Sequence, residues 1–209
     1  MARGIDHKCK QCRREGEKLF LKGEKCFSGK CPIVKRNYPP GLHGVKGRSR
    51  QSNFGMQLRE KQKAKRLYRL SERQFFNYFQ KATKQQGETV ENFLRLLELR
   101  LDNVIYRLGI GASRDQARQI VGHGFVLVNG RGVNIPSYQV KAGDVITIKE
   151  TKQKRPAFQE ALKKLEKHET PSWLSFDKPA VKATVTAVPT MPELKQNFQP
   201  QLIIEFYSR

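Results

Sequence analysis

Between Phe93 and Leu108 the apolar residues Phe93, Leu94, Leu97, Leu101, Val104, Ile105 and Leu108 recur every three or four positions, the interval that lines up one face of an α-helix. The spacing predicts one amphipathic helix, stopped by Gly109 and Gly111. Ser113 with Gln116 has the spacing of a capping box, so a second helix is expected from Arg114 to about Gly122, its core face made by Ala117, Ile120 and Val121. Arg114 and Arg118 then share a neighbouring face, with Gln119 further round toward solvent, where they can meet phosphates. From Phe125 to Asn134 the period changes to two, with Asn129-Gly130 as a hairpin signal, and Val145 to Ile148 supplies another strand after the turn residues Gly143-Asp144.

The flanks are patterned more weakly. Leu58, Lys61, Gln62, Lys65 and Arg66 describe a basic helix from Phe54 that breaks near Leu70, where Ser71 and Gln74 form another capping pair. Phe75, Phe76 and Phe79 follow at helix-packing spacing, which favours core rings over base-stacking ones, and Thr89 is the expected cap of the Leu-rich helix. Beyond Ile148, Lys and Glu alternate around Ala161, Leu162 and Leu165 between Pro156 and His168, as on a solvated helix. Trp173 to Asp177 and Ala183 to Val188, bounded by Pro171, Pro179 and Pro189, read as strands that extend the sheet begun at Phe125. Pro200 to Ser208 fits strand or helix; Pro200 in the first turn and the spacing of Leu202, Ile203, Phe206 and Tyr207 favour the helix.

Charge changes the picture from fold to partner. The 209 residues carry a formal net charge of +22, with a pI near 10.2, so the natural partner is a polyanion. Residues 1–50 hold 14 Lys+Arg against 4 Asp+Glu, whereas 101–150 hold 6 against 4, which makes the N-terminal part the main electrostatic surface. No apolar run approaches the ~20 residues of a membrane span and no secretory signal core follows Met1, so the expected compartment is the reducing cytoplasm, without membrane contact. There cysteines serve as metal ligands more often than as disulfides.

Cys9 and Cys12, thirteen intervening residues, then Cys26 and Cys31, lie in a polar segment that reads as too short for a hydrophobic core. Four thiolates can close one tetrahedral Zn(2+) site whose bonds replace a core. The competing reading is four unrelated buried thiols, against which stand the Lys and Arg around both pairs; His7 is set aside as a surface residue. Tyr38 to Gly44 is rich in turn formers and Lys46, Arg48 and Arg50 follow, which reads as an extended arm on RNA rather than a solvated linker.

The run Leu99 to Leu108 with Asp102 and Tyr106, then Ser113, Arg114, Ala117, Arg118, Gln119, His123-Gly124, Val128-Asn129-Gly130-Arg131, Val140 and Gly143-Asp144, resembles the S-four-type RNA-binding domain, the α-L motif. Ala2-Arg3, the cysteine set, Pro40-Gly41, His43-Gly44, Leu58 to Lys63, Ser71 to Phe75, Arg100 to Val104 and Glu205 to Arg209 resemble bacterial ribosomal small-subunit protein four over nearly the whole chain. The resemblance implies an α+β fold: a helical domain (46–96 plus 198–209) with an inserted α-L RNA-binding domain on a small antiparallel sheet (97–190), and an N-terminal zinc-binding arm (1–45). It also implies a non-enzymatic ribosomal constituent in the cytoplasm. Such a protein binds the 5′ domain of small-subunit ribosomal RNA at a helical junction, nucleates assembly, meets neighbouring small-subunit proteins, and contributes to translational accuracy beside the messenger RNA entrance. Lys46, Arg48 and Arg50 correspond to that entrance.

The candidate RNA contacts are Arg3, Arg13, Arg14, Lys22, His43, Lys46, Arg48, Arg50, Arg59, Lys61, Lys63, Arg66, Arg73, Arg114, Arg118, Gln119, His123, Asn129 and Arg131; the candidate zinc ligands are Cys9, Cys12, Cys26 and Cys31. An RNA-modifying enzyme is the rival class, since α-L modules also occur there, but no Gly-rich nucleotide loop and no His-x-Gly-His motif is present. Asp102 is expected to orient a neighbouring arginine rather than act as a base. A zinc-dependent DNA-binding regulator is a third reading; the cysteine spacing fits no Cys2His2 finger, so DNA is not an expected partner.

Overall fold

In the computed structural model, which describes residues 7–47, 50–153, 158, 165, 168–177, 180–194 and 196–209, the chain divides into two units, Met1–Phe93 with Gln196–Arg209 and Leu94–Lys195. The first unit is helical: α1 (Lys8–Glu15), α2 (Glu24–Phe27), α3 (Pro32–Lys35), a 3-10 turn (Leu42–Lys46), α4 (Asn53–Leu67), α5 (Glu72–Lys84) and the C-terminal helix (Pro200–Tyr207), which packs on α4. Ser52 and Ser71 cap α4 and α5, their side chains accepting from Gly55 N and Gln74 N. Between these helices Arg69 takes a left-handed φ of 56°, the conformation that usually ends a helix at glycine. The rings of Phe75 and Phe93 meet edge to face at 5.2 Å and Ile203 is fully buried, so the core is closed by residues from both ends of the sequence.

The N-terminal segment departs from its reading as core-less. Leu19, Leu21 and Ile33 are buried beside Cys12, Cys26 and Cys31, and each apolar side chain so buried contributes roughly 1.5–3 kcal/mol. Nor is Tyr38 to Gly44 an extended arm: it turns back on itself, because Arg13 of α1 donates to the carbonyls of Arg36, Tyr38 and Pro39 at 3.2, 3.0 and 3.3 Å.

The long helix expected from Phe93 to Leu108 is two, α6 (Thr89–Glu98) and α7 (Leu101–Arg107). At the break Arg100 is extended and forms a bridge with Gln139, while Leu101 N donates to Tyr138 O and Val140 N to Leu99 O. These long-range bonds replace the helical ones, yet both helices bury the same apolar stripe, so the periodicity runs through the break unmarked. Thr89 is the first residue of α6 rather than its cap; Asn92 N reaches the Glu88 carbonyl.

In the second unit α8 (Arg114–Gly122) packs on α7 over a five-stranded antiparallel sheet of β1 (Val126–Val128), β2 (Arg131–Gly132), β3 (Val145–Ile148), β4 (Leu174–Asp177) and β5 (Lys182–Val185), in the order β2-β1-β3-β5-β4. The registers Val126↔Ile148, Val128↔Ile146 and Ile146↔Ala183 put buried residues opposite one another, so one face of the sheet is core. Asn129 and Gly130 both have positive φ, 50° and 78°, as a two-residue type I′ hairpin requires. Of the helix expected between Pro156 and His168, most residues lie outside those described; Phe158 and Leu165 are helical and buried in this core.

Candidate nucleic-acid interface

The start of α7 and the outer face of α8 are joined by one polar network. Asp102, nearly buried, accepts from Arg100 Nε and Nη2 at 3.0 and 2.8 Å and from Arg118 Nη1 at 3.0 Å. Asn103 accepts from Arg114 Nε at 2.8 Å and its Nδ2 donates to the backbone carbonyl and the carboxylate of Glu98, while Arg107 grips the same carboxylate at 2.8 and 2.9 Å. The Arg114 guanidinium also stands 4.5 Å from the Tyr106 ring centroid. Arg114 and Arg118 are therefore not loose surface cations; adjacent side chains of α7 hold their guanidinium planes. Asp102 orients arginine, as its setting suggests, and its charge is balanced by Arg100, which is fully buried. Gln119 and His123 lie exposed on the outer side of α8 and just beyond it.

The hairpin residues divide differently. Asn129 and Arg131 are both exposed, but Asn129 spends its side chain on the fold, donating to Asp144 and accepting from Val145 N, both at 2.8 Å.

The cations of α4 also part company with a uniformly solvated basic helix. Lys61 is buried, paired with Glu72 at 2.7 Å and set 4.5 Å from the Phe206 ring; Lys63 is buried and paired with Glu17 at 2.7 Å. Arg66 and Arg59 both reach Glu15 of α1, whose own carboxyl is raised by burial against their pull. Facing acids draw these cations inward, a partnership invisible without the fold. Arg14, Lys22, His43, Lys46, Arg50 and Arg73 are exposed, and Arg13 is spent on the loop carbonyls and the Tyr38 ring. Arg3 and Arg48 lie outside the described residues.

Cys9 and Cys12 of α1, Cys26 of α2 and Cys31 at the start of α3 line one small apolar pocket with Leu21 and Ile33. Lys22 N donates to Cys26 Sγ at 3.4 Å, and burial pushes the Cys12 thiol up. Among the described residues no group of three or more His, Cys, Asp or Glu side chains stands at metal-holding geometry.

The sequence reading missed Glu98, Arg100 and Asn103 as parts of the interface. Their signal was there: charged and amide residues at buried phases of a Leu-rich stripe need partners.

A family model described as ribosomal protein S4/S9 N-terminal domain matches residues 3–98, and one described as S4 domain matches residues 99–146. The small ribosomal subunit protein uS4 of Nitrosospira multiformis is 53% identical over 209 residues, covering all of both chains. The chain belongs to the ribosomal protein S4 family. Proteins of the same printed name from Pelotomaculum thermopropionicum and Desulforamulus reducens are 52% and 50% identical, again over the full length of each. The S4 domain match spans α7, α8 and β1, so the polar network, Glu98 excepted, falls within it. No helix among the described residues is long and apolar enough to cross a membrane.

Proposed function

We propose that the chain is a structural, non-catalytic constituent of the small ribosomal subunit that binds its ribosomal RNA in the cytoplasm. The observation that carries this is the full-length identity of about half with small ribosomal subunit proteins uS4. A net charge of +22 and the ordered arginines of α8 supply the physical means. The RNA target is the 5′ domain at a helical junction, which the protein organises early in assembly; neighbouring small-subunit proteins and the messenger RNA entrance, with an effect on accuracy, complete the reading. Lys46 and Arg50 are the exposed residues assigned to that entrance. Co-sedimentation decides the reading: the tagged chain is expected in the small-subunit peak at moderate salt, and recovery only as free protein overturns it.

The proposal includes one zinc ion on Cys9, Cys12, Cys26 and Cys31. The donor set fits: four thiols and no competing carboxylate line one pocket, with the Lys22 N–H already directed at a sulfur. Cys9, Cys12, Cys26 and Cys31 would hold zinc there, and it would crosslink α1, α2 and α3, whose short lengths give each little stability alone. Purification under reducing conditions should yield about one equivalent of zinc, and chelation should loosen the N-terminal amides in hydrogen exchange. Less than about half an equivalent, with unchanged exchange, rules the ion out.

A further inference from the structure

Within the first unit a cavity of about 500 Å³ lies among the end of α1, the loop from Pro39 to Gly47 and the first turns of α4. Arg14, His43 and Arg59 line it together with the Gln51 side of the α4 entrance, and none of its described lining residues is acidic. The loop is pinned in place. Arg13 holds the carbonyls of Arg36, Tyr38 and Pro39 at its entrance, and at Gly44 a Cβ would stand 1.8 Å from the Pro39 oxygen, so the turn can lie flat on Pro39 only with glycine there. What this pinned turn displays is unusual: Leu42 at the cavity rim is 91% exposed and Val45 73%. Apolar side chains carried into water on a pinned turn are available to cover a ligand.

We propose that this cavity receives a single unpaired nucleotide, its phosphate at Arg14 and its base against His43 and Leu42. The inference rests on the RNA-binding reading above and narrows the ligand to one splayed residue. Its volume falls in the range of about 300–1,000 Å³ typical of pockets for small-molecule-sized ligands, room enough for one nucleotide. The exposed Arg14 guanidinium answers the phosphate, while Arg59 on the opposite wall is shared with Glu15; an imidazole and an aliphatic side chain offer flat and apolar cover to a base; the Gln51 amide has both a donor and an acceptor for a base edge. Sequence-directed RNA recognition favours such unstacked bases, because their edges and faces are open in a way that helical ones are not.

The test uses the full chain and a transcript of the small-subunit RNA 5′ domain, probed with base-modifying reagents. With the wild-type protein one unpaired base should become protected. Arg14→Ala/His43→Ala should restore its reactivity while the rest of the footprint persists; both residues are exposed, so the melting temperature should stay unchanged. Making that position abasic should weaken wild-type binding about tenfold and leave binding of the double variant unaffected. Gly44→Ala, which forces the turn off Pro39, should mimic the double variant. Identical footprints for wild type and double variant, or equal losses from the abasic RNA, overturn the pocket while sparing the RNA-binding reading. Failure of the wild type to bind the transcript at all overturns both.

Discussion

Glu72 ties three helices of the first unit together, accepting from Lys61 and Lys65 of α4 at 2.7 and 2.8 Å and from the Tyr207 hydroxyl of the C-terminal helix at 2.8 Å. Burial alone would raise its carboxyl, but these three donors outweigh it and hold the group down to about 2, against 4.5 ordinarily. A depressed carboxylate stabilises the folded state above its unfolded value, and the contribution is lost as pH falls from about 4.5 through about 2. Glu72→Gln should therefore cost about 1 kcal/mol at pH 7, after allowance for screening of a half-exposed group, and progressively less below pH ~4.5. Urea titrations at pH 7 and pH 3 check this; a gap that does not narrow assigns the loss to shape rather than charge. The same residue scale shows why Lys61 belongs to the fold: its ammonium has a carboxylate on one side and an aromatic ring on the other.

At the scale of elements, α8 has a dual attachment. Ala117 and Val121 seal its inner face against the core, while Asn103 and Asp102 of α7 hold Arg114 and Arg118. Pre-set guanidinium planes lose less freedom on meeting phosphates than free side chains do, so α8 is expected to bind RNA with little reordering. Replacing both arginines by Ala should weaken RNA binding and reduce the salt slope by roughly one to two counterions. Binding measured from low to high salt tests this, and an unaltered slope would place the RNA on another face. The Ser113 cap and the span Arg114–Gly122 were readable from local chemistry, since a cap needs only the amide two or three residues on. The α6–α7 break was not readable, because its cause is a strand-like pairing with Gln139, far along the chain.

Across the whole molecule, the excess positive charge of residues 1–50 should make the N-terminal part the main source of salt-sensitive affinity. Yet the arm is not a detachable tail. Glu15 and Glu17 of this segment neutralise Arg59, Arg66 and Lys63 of α4. Deleting residues 1–45 should accordingly weaken RNA binding, most at low salt where counterion release contributes most, and also lower the stability of the first unit by about 1–3 kcal/mol through unpaired cations on α4. Thermal unfolding with competition binding at two salt concentrations measures both effects. A truncated chain that binds as tightly as the full one would show that the segment does not anchor RNA.

What the sequence determined by itself is what local physics carries: the helix caps at Ser71 and Ser113, the Asn129-Gly130 hairpin, the alternation of β1 and β3, the helical end from Pro200, and a polyanion as partner. Each depends on residues within a few positions of one another, or on composition alone. The tertiary structure decided which charges remain for RNA. Whether a lysine of α4 faces water or Glu72, whether Arg118 is loose or held by Asp102, and whether Gly44 lies under Pro39 or in an open arm are settled by contacts between segments distant in sequence. A charged side chain is held wherever the fold brings an opposite charge close enough to offset its desolvation, and residue spacing along the chain does not encode that distance.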